Sequence, residues 1–138
     1  MRSLILADWT TVRGQSASPA SQITQDETLW LDLEQYTDVV IYLDCREVSG
    51  GGTGVTFFFE TAPSKDDPRD SNGNPTFFQT LASSTQTAGT ATTIVLRALM
   101  MTATVPLARY LRWRVVGVSG SAWDTTFRAI VAANALGL

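Results

Sequence analysis

The sequence predicts an all-β fold: an antiparallel two-sheet β-sandwich, jelly-roll or Greek-key like, with about eight strands. Three observations carry this reading. Apolar and polar residues alternate with a period of two in several segments, so each has one face for a core and one for the outside. Clusters of Gly, Ser, Pro and Asn separate those segments roughly every 10 to 20 residues, the spacing of turns in sandwiches and barrels. Sustained helical periodicity is nearly absent. At 138 residues the chain can bury a core but is too short for two ordinary domains, which predicts one domain over residues 1–138.

Taken in order, residues 4–12 form the first expected strand. The stretch behind it is rich in turn formers (Gly14, Ser16, Ser18, Pro19, Ser21), so residues 13–25 read as a flexible loop or an extended arm. Leu29, Leu31 and Leu33 alternate with Trp30, Asp32 and Glu34, which buries the leucines and turns Trp30 outward or into a second layer. In residues 38–48, Val39, Ile41, Leu43 and Cys45 share one face, and Tyr42, Asp44 and Arg46 the other. Glycines 50, 51, 52 and 54 offer the positive-φ positions of a hairpin, with residues 55–61 as the returning partner and Val55, Phe57 and Phe59 inward.

A polar excursion over 63–75 leads to a short strand at 76–81 containing Phe77 and Phe78. A tract of Ser, Thr, Ala, Gly and Gln over 82–93 follows, part of which reads as a strand edge. Ile94, Leu96 and Ala98 alternate with Val95 and Arg97 before Pro106 interrupts. Residues 109–118 set Leu111, Trp113 and Val115 against Tyr110, Arg112, Arg114 and Val116. After a turn at 117–122, residues 125–133 set Phe127, Ala129 and Val131 against Thr126, Arg128 and Ile130. Residues 42–50 are echoed in 110–120, and two similar hairpins fit a pair of facing sheets.

The chemistry available is narrow. The chain has no histidine, which removes the commonest general base and the commonest metal ligand. Cys45, the single cysteine, allows no intrachain disulfide and no thiolate zinc site, and its place in an apolar alternation marks it as a small buried hydrophobe. Asp32, Glu34, Asp44 and Glu60 lie on expected strands and are the one route to paired-carboxylate chemistry, although outward strand carboxylates are usually solvated. Residues 66–74 superficially resemble a calcium loop, yet Leu81 stands where the closing acidic residue belongs. The glycine run at 50–54 has no Lys-Ser/Thr after it and joins strands, so it is no phosphate loop. The expectation is a protein that is not an enzyme, with no metal and no cofactor.

A net charge of −3 gives no general attraction to nucleic acid or acidic membranes. The opening apolar run ends at Asp8, too short for a cleavable leader, and no run approaches the ~20 residues that span a bilayer. Nine arginines against the single Lys65 hint at fixed contacts, or at GC-rich coding. The best interaction candidates are Tyr110, Arg112 and Arg114 with Arg128 on an expected neighbouring strand, the competing reading being a solvated face paired with carboxylates such as Asp44. Outward-facing Trp30 and Trp123 are candidates for a sugar platform, against ordinary rim or core packing.

Two segments resemble the small β-sandwich structural proteins of tailed bacteriophages, especially capsid decoration or auxiliary head proteins. The first runs from Val39-Val40-Ile41-Tyr42-Leu43 through Phe57-Phe58-Phe59-Glu60. The second runs from Leu107-Ala108-Arg109-Tyr110-Leu111-Arg112-Trp113 to Thr126-Phe127. Together they cover roughly half the chain. The resemblance implies a non-enzymatic virion protein, a decoration or cement subunit on the capsid surface that is made in the host cytoplasm. It also implies the major capsid protein as partner and a homo-oligomer, with a trimer favoured. It carries no motif that assigns functional residues. A carbohydrate-binding or adhesion module shares the same strand grammar and is the alternative.

Overall fold

Strand alternation decides which side chains face inward, and pairing decides which strands are neighbours. In a computed structural model, residues 2–18, 20–50, 54–65, 78–87, 96–101 and 106–135 are described, with the segment 96–101 described by its backbone alone. Among them run β1 (Arg2–Gly14), β2 (Gln22–Thr24), β3 (Leu31–Asp32), β4 (Tyr36–Gly50), β5 (Gly54–Ala62), β6 (Gln79–Thr87), β7 (Leu96–Met101), β8 (Tyr110–Gly117) and β9 (Trp123–Ala135). The first sheet has the order β1-β9-β4-β7 and the second β2-β8-β5-β6, with β3 also on β8, and every pair is antiparallel.

Strands β2 and β3 are two pieces of one edge, since Gln22 lies opposite Val116 and Leu31 opposite Leu111 on the same strand. A 3-10 turn at Glu27–Leu29 interrupts them, and the Asp26 carboxylate caps it by accepting from the Thr28 N–H at 2.9 Å. With the broken edge taken as one strand, the chain changes sheet at every connection except β5 to β6. That is jelly-roll connectivity, as the strand pattern predicts.

The core lies between the sheets. It takes Val39, Ile41, Leu43 and Cys45 from β4, Phe127, Ala129 and Val131 from β9, Phe57 and Phe59 from β5, and Leu111, Trp113 and Val115 from β8. These are the inward sets that the alternation predicts. Cys45 is fully buried, with its thiol 3.5 Å from the Thr125 hydroxyl, and burial pushes the thiol pKa up.

Several neighbour relations differ from expectation. Residues 50–54 join no hairpin, because β4 pairs with β9 and β7 while β5 pairs with β8 and β6. The connection is an arch from one sheet to the other. The glycine requirement still holds at its ends, where Gly50 has φ 76° and Gly54 φ 147°. A Cβ on Gly50 would also collide with the Ala122 carbonyl. The echoed segments do lie in facing sheets, on β4 and β8, but each leads into an arch rather than a hairpin.

Of residues 13–25, Arg13 and Gly14 finish β1 and residues 22–24 form β2. Between them the Ala17 N–H and the Ser16 hydroxyl both donate to the Gly120 carbonyl at 2.9 Å. The leucine alternation at 29–33 also fails: Leu29 is 63% exposed, Trp30 only 8% and Leu33 1%. The 3-10 turn changes the period from two to three there. The strand expected at 76–81 begins at Gln79 and continues through the Ser/Thr tract as edge strand β6. The calcium-like segment 66–74 and Phe77 lie outside the described residues.

Gln25 fills the gap that the broken edge leaves. Its side-chain amide donates to the Leu6 carbonyl of the first sheet at 2.8 Å and accepts from the Trp113 N–H of the second at 3.2 Å. Those backbone groups are buried and have no strand partner at the break. Gln25→Met, which keeps the volume, is therefore expected to lower stability by about 2–4 kcal/mol through two orphaned groups. Urea unfolding with an unchanged m-value would show it, and a loss under about 0.5 kcal/mol would remove Gln25 from this role.

Candidate interaction surfaces

The two sheets present different outer faces. On the second, Glu60 of β5 sits directly opposite Arg112 of β8, with Phe58 opposite Arg114. Glu60 is 5% exposed and accepts from Arg112 Nε at 3.1 Å, Arg114 Nε at 3.2 Å and Arg114 Nη2 at 3.1 Å, with Arg112 Nη2 a further 3.1 Å contact. Aromatic rings cover both guanidinium groups. Arg112 Cζ lies 3.5 Å from the Phe78 ring centre and 5.3 Å from that of Trp30, while Arg114 Cζ lies 4.3 Å from that of Phe58.

The ladder continues through Lys65, 5.1 Å above the Tyr110 ring, to Arg109, also 5.1 Å from that ring. Arg109 ends it in an exposed pair with Asp32 at 2.9 Å, and that hydrogen bond holds the Asp32 carboxyl below its ordinary range. Tyr110, Arg112 and Arg114 are therefore together, as the shared strand face predicts. Arg112 is nonetheless buried under the rings, and Arg112 and Arg114 share the Glu60 carboxylate, so much of this face is engaged within the chain.

Trp30 belongs to that cover. Its ring meets Phe78 edge to face at 4.9 Å, and its indole N–H donates to the Gln25 carbonyl at 3.0 Å. It is not the outward platform expected. Trp123 is 3% exposed, donates to the Ser21 hydroxyl at 2.9 Å and packs where a Cβ on Gly14 would stand, so it too is no platform. Arg128 is not beside Arg112 and Arg114 either. The arch between β8 and β9 carries it to the outer face of the other sheet.

On that face Arg128 pairs with Asp44 at 3.0 Å, the partner that the plain structural reading proposed. Among the described residues Asp44 Oδ1 and Arg128 Nε are buried with no hydrogen-bond partner, so the pair is not a two-pronged alignment. Trp9, on the stretch of β1 where the register shifts, covers Arg128 at 4.9 Å and Arg46 at 4.4 Å. The next row is apolar. Ile5, Ile130 and Tyr42 are register partners across β1, β9 and β4, and Ile5 is 61% and Tyr42 48% exposed. Tyr42, Leu43, Asp44, Arg128 and Ile130 line a cleft of about 230 Å³.

Sequence reasoning passed over this row, although its signal was present: Ile130 and Tyr42 fall in the outward phase of their strands. Of the candidate carboxylates, Asp32 and Glu34 come together on Arg109, at 2.9 and 3.5 Å, while Asp44 lies on one outer face and Glu60 on the other, each engaged by arginine. Among the described residues, no group of three or more His, Cys, Asp or Glu is placed to hold a metal, and no helix is long and apolar enough to cross a membrane. No family model and no curated protein matches the chain.

Proposed function

We propose that the chain is a non-enzymatic structural subunit that works through protein–protein contacts, as a decoration or cement protein on the head of a tailed phage. The observation that carries this reading is the exposed row Ile5, Ile130 and Tyr42. An apolar row on a hydrogen-bonded sheet is suited to a protein surface, because it offers area and rigidity rather than a deep pocket.

Three further points support it. The Arg109 hydrogen bond holds Asp32 below its ordinary range, which suits it poorly to general acid chemistry, and Asp44 and Glu60 stand on opposite outer faces rather than as a catalytic pair. Jelly rolls recur in viral capsid and lectin domains. The resemblance over residues 38–63 and 107–133 narrows that choice to phage heads, with the major capsid protein as partner. The carbohydrate-binding alternative loses its two tryptophans to burial.

The test is sedimentation with undecorated heads assembled from the major capsid protein of the same gene cluster. The chain should co-sediment to saturation and raise the temperature at which heads rupture. A chain left at the top of the gradient that instead gives a clear signal on a glycan array would replace this reading with the sugar-binding one.

A further inference from the structure

We propose that the cleft beside Tyr42 is a saccharide subsite, in which Asp44 and Arg128 bind neighbouring hydroxyls of a pyranose ring that lies against Tyr42 and Ile130. Such a site is independent of the decoration reading.

The sheet is irregular around Arg128 on both sides. On β1, Asp8 and Trp9 together occupy the level of Arg128, because Ala7 pairs with Ala129 and Thr10 with Phe127. On β4, Arg46 is an extra residue, because Cys45 pairs with Phe127 and Glu47 with Thr126. Both neighbours of β9 thus bulge close to one residue, and bulges re-aim side chains at functional places in sheets. The bulged residues meet, since the Trp9 ring carries Arg46 and also covers Arg128. Arg128 is therefore held twice, by that ring and by the Asp44 carboxylate at 3.0 Å.

The pair held in this way is incompletely used. The Asp44 side chain is only 9% exposed, yet among the described residues its Oδ1 has no hydrogen-bond partner, and neither has Arg128 Nε. A buried acceptor and a buried donor are costly to leave unpaired, so a group that bonds both gains more than it would on an exposed pair. Both residues line the cleft of about 230 Å³, with Tyr42, Leu43 and Ile130 as its other walls. Tyr42 is half exposed, and its hydroxyl makes no hydrogen bond among the described residues. It is the wall that can turn aside to admit a group to the two atoms.

Chemistry narrows the occupant. Oδ1 requires a donor and Nε an acceptor, and both belong to one ion pair, so a ligand has to present the two functions close together. A ligand carboxylate or phosphate would oppose Asp44. An ammonium would oppose Arg128, and Arg97 of β7 is the register partner of Asp44 on its other side. Neighbouring hydroxyls satisfy both atoms without bringing a charge. The adjoining walls, one aromatic and one aliphatic, suit the C–H face of a sugar ring. The volume admits one such ring, since a cavity of ~150 Å³ already holds benzene. A single sugar unit held by this few contacts should bind with an affinity on the order of 1–10 mM.

Titration of the isotope-labelled chain, followed by nuclear magnetic resonance at the Arg128 Nε–H, tests this. The probes are the methyl glycosides of glucose, galactose, mannose and N-acetylglucosamine at tens of millimolar, with tetrahydropyran as the ring without hydroxyls and phenol as the aromatic hydroxyl. At least one glycoside should shift the Arg128 Nε–H together with the Tyr42 and Ile130 amides, while tetrahydropyran leaves them in place. Tyr42→Ala, at a half-exposed position, should weaken that glycoside at least about tenfold, and Tyr42→Phe by less than about twofold, because the ring and not its hydroxyl is used. Silence from all the glycosides, an equal response to tetrahydropyran, a response to phenol alone, or undiminished binding by Tyr42→Ala would overturn the proposal. A chain that binds a glycoside and ignores phage heads leaves this subsite standing and removes the decoration reading, and one that coats heads and ignores every glycoside does the reverse.

Discussion

Replacing Glu60 by alanine is expected to destabilise the protein by about 3–5 kcal/mol, although the residue lies on an outer sheet face. Two guanidinium groups engage that carboxylate. The Arg112 and Glu60 side chains are each 7% exposed, and that of Arg114 is 22% exposed. With the carboxylate gone, Arg112 keeps its cover of Trp30 and Phe78 and loses its Glu60 counter-charge in a buried setting. Glu60→Gln keeps the shape and an acceptor but not the charge, so its loss should be about half as large. Simultaneous replacement of Glu60, Arg112 and Arg114 by apolar residues of similar volume should recover most of the stability, since the desolvation cost then disappears as well.

Asp32→Ala supplies the contrast. Asp32 and Arg109 are 45% and 43% exposed, so water screens the pair and the change should cost less than about 1 kcal/mol. Denaturant midpoints for the two substitutions separate a buried keystone from a surface pair. Equal midpoints would mean that the aromatic cover does not exclude water and that the ladder is an ordinary surface. The distinction bears on the proposed function, which places its protein contact on the apolar face of the first sheet and not on the second.

Alternation made the inner faces legible, because burial acts on each strand locally: Val39, Ile41, Leu43, Leu111, Trp113, Phe127 and Val131 all point where period two puts them. Neighbours were not legible from it. A glycine-rich connection serves a hairpin or an arch equally well, and only the pairing of β4 with β9 rather than β5 decides between them. For the same reason Arg128 seemed to belong with Arg112. Burial of Trp30 and Trp123 was hidden too, since each is placed by a contact distant in sequence or by an irregular turn: Phe78 and the 3-10 segment for one, Ser21 and Gly14 for the other. Gln25 carried no signal at all, as a polar residue in a polar stretch becomes structural only where an edge strand breaks.

Phe127→Ala should produce the second large loss, about 3–5 kcal/mol, by a different mechanism. Phe127 is fully buried at the middle of β9, and its ring meets Phe57 at 5.0 Å and Trp113 at 5.2 Å, both edge to face. From the first sheet it thus engages two strands of the second. The cavity left by alanine cannot close easily, because β5, β8 and β9 are each hydrogen-bonded on both sides within their sheets. Phe127→Leu, which refills part of the space but loses both ring contacts, should cost about 1–2 kcal/mol. The ordering alanine well below leucine, with m-values unchanged, is the signature of a cavity; similar losses for both would mean that the ring contacts rather than the volume matter. Glu60 and Phe127 act on opposite sides of the second sheet, one outside and one in the core. Each single loss is tolerable within the ~5–15 kcal/mol of an ordinary domain, while the double variant should be largely unfolded at 25 °C by far-UV circular dichroism.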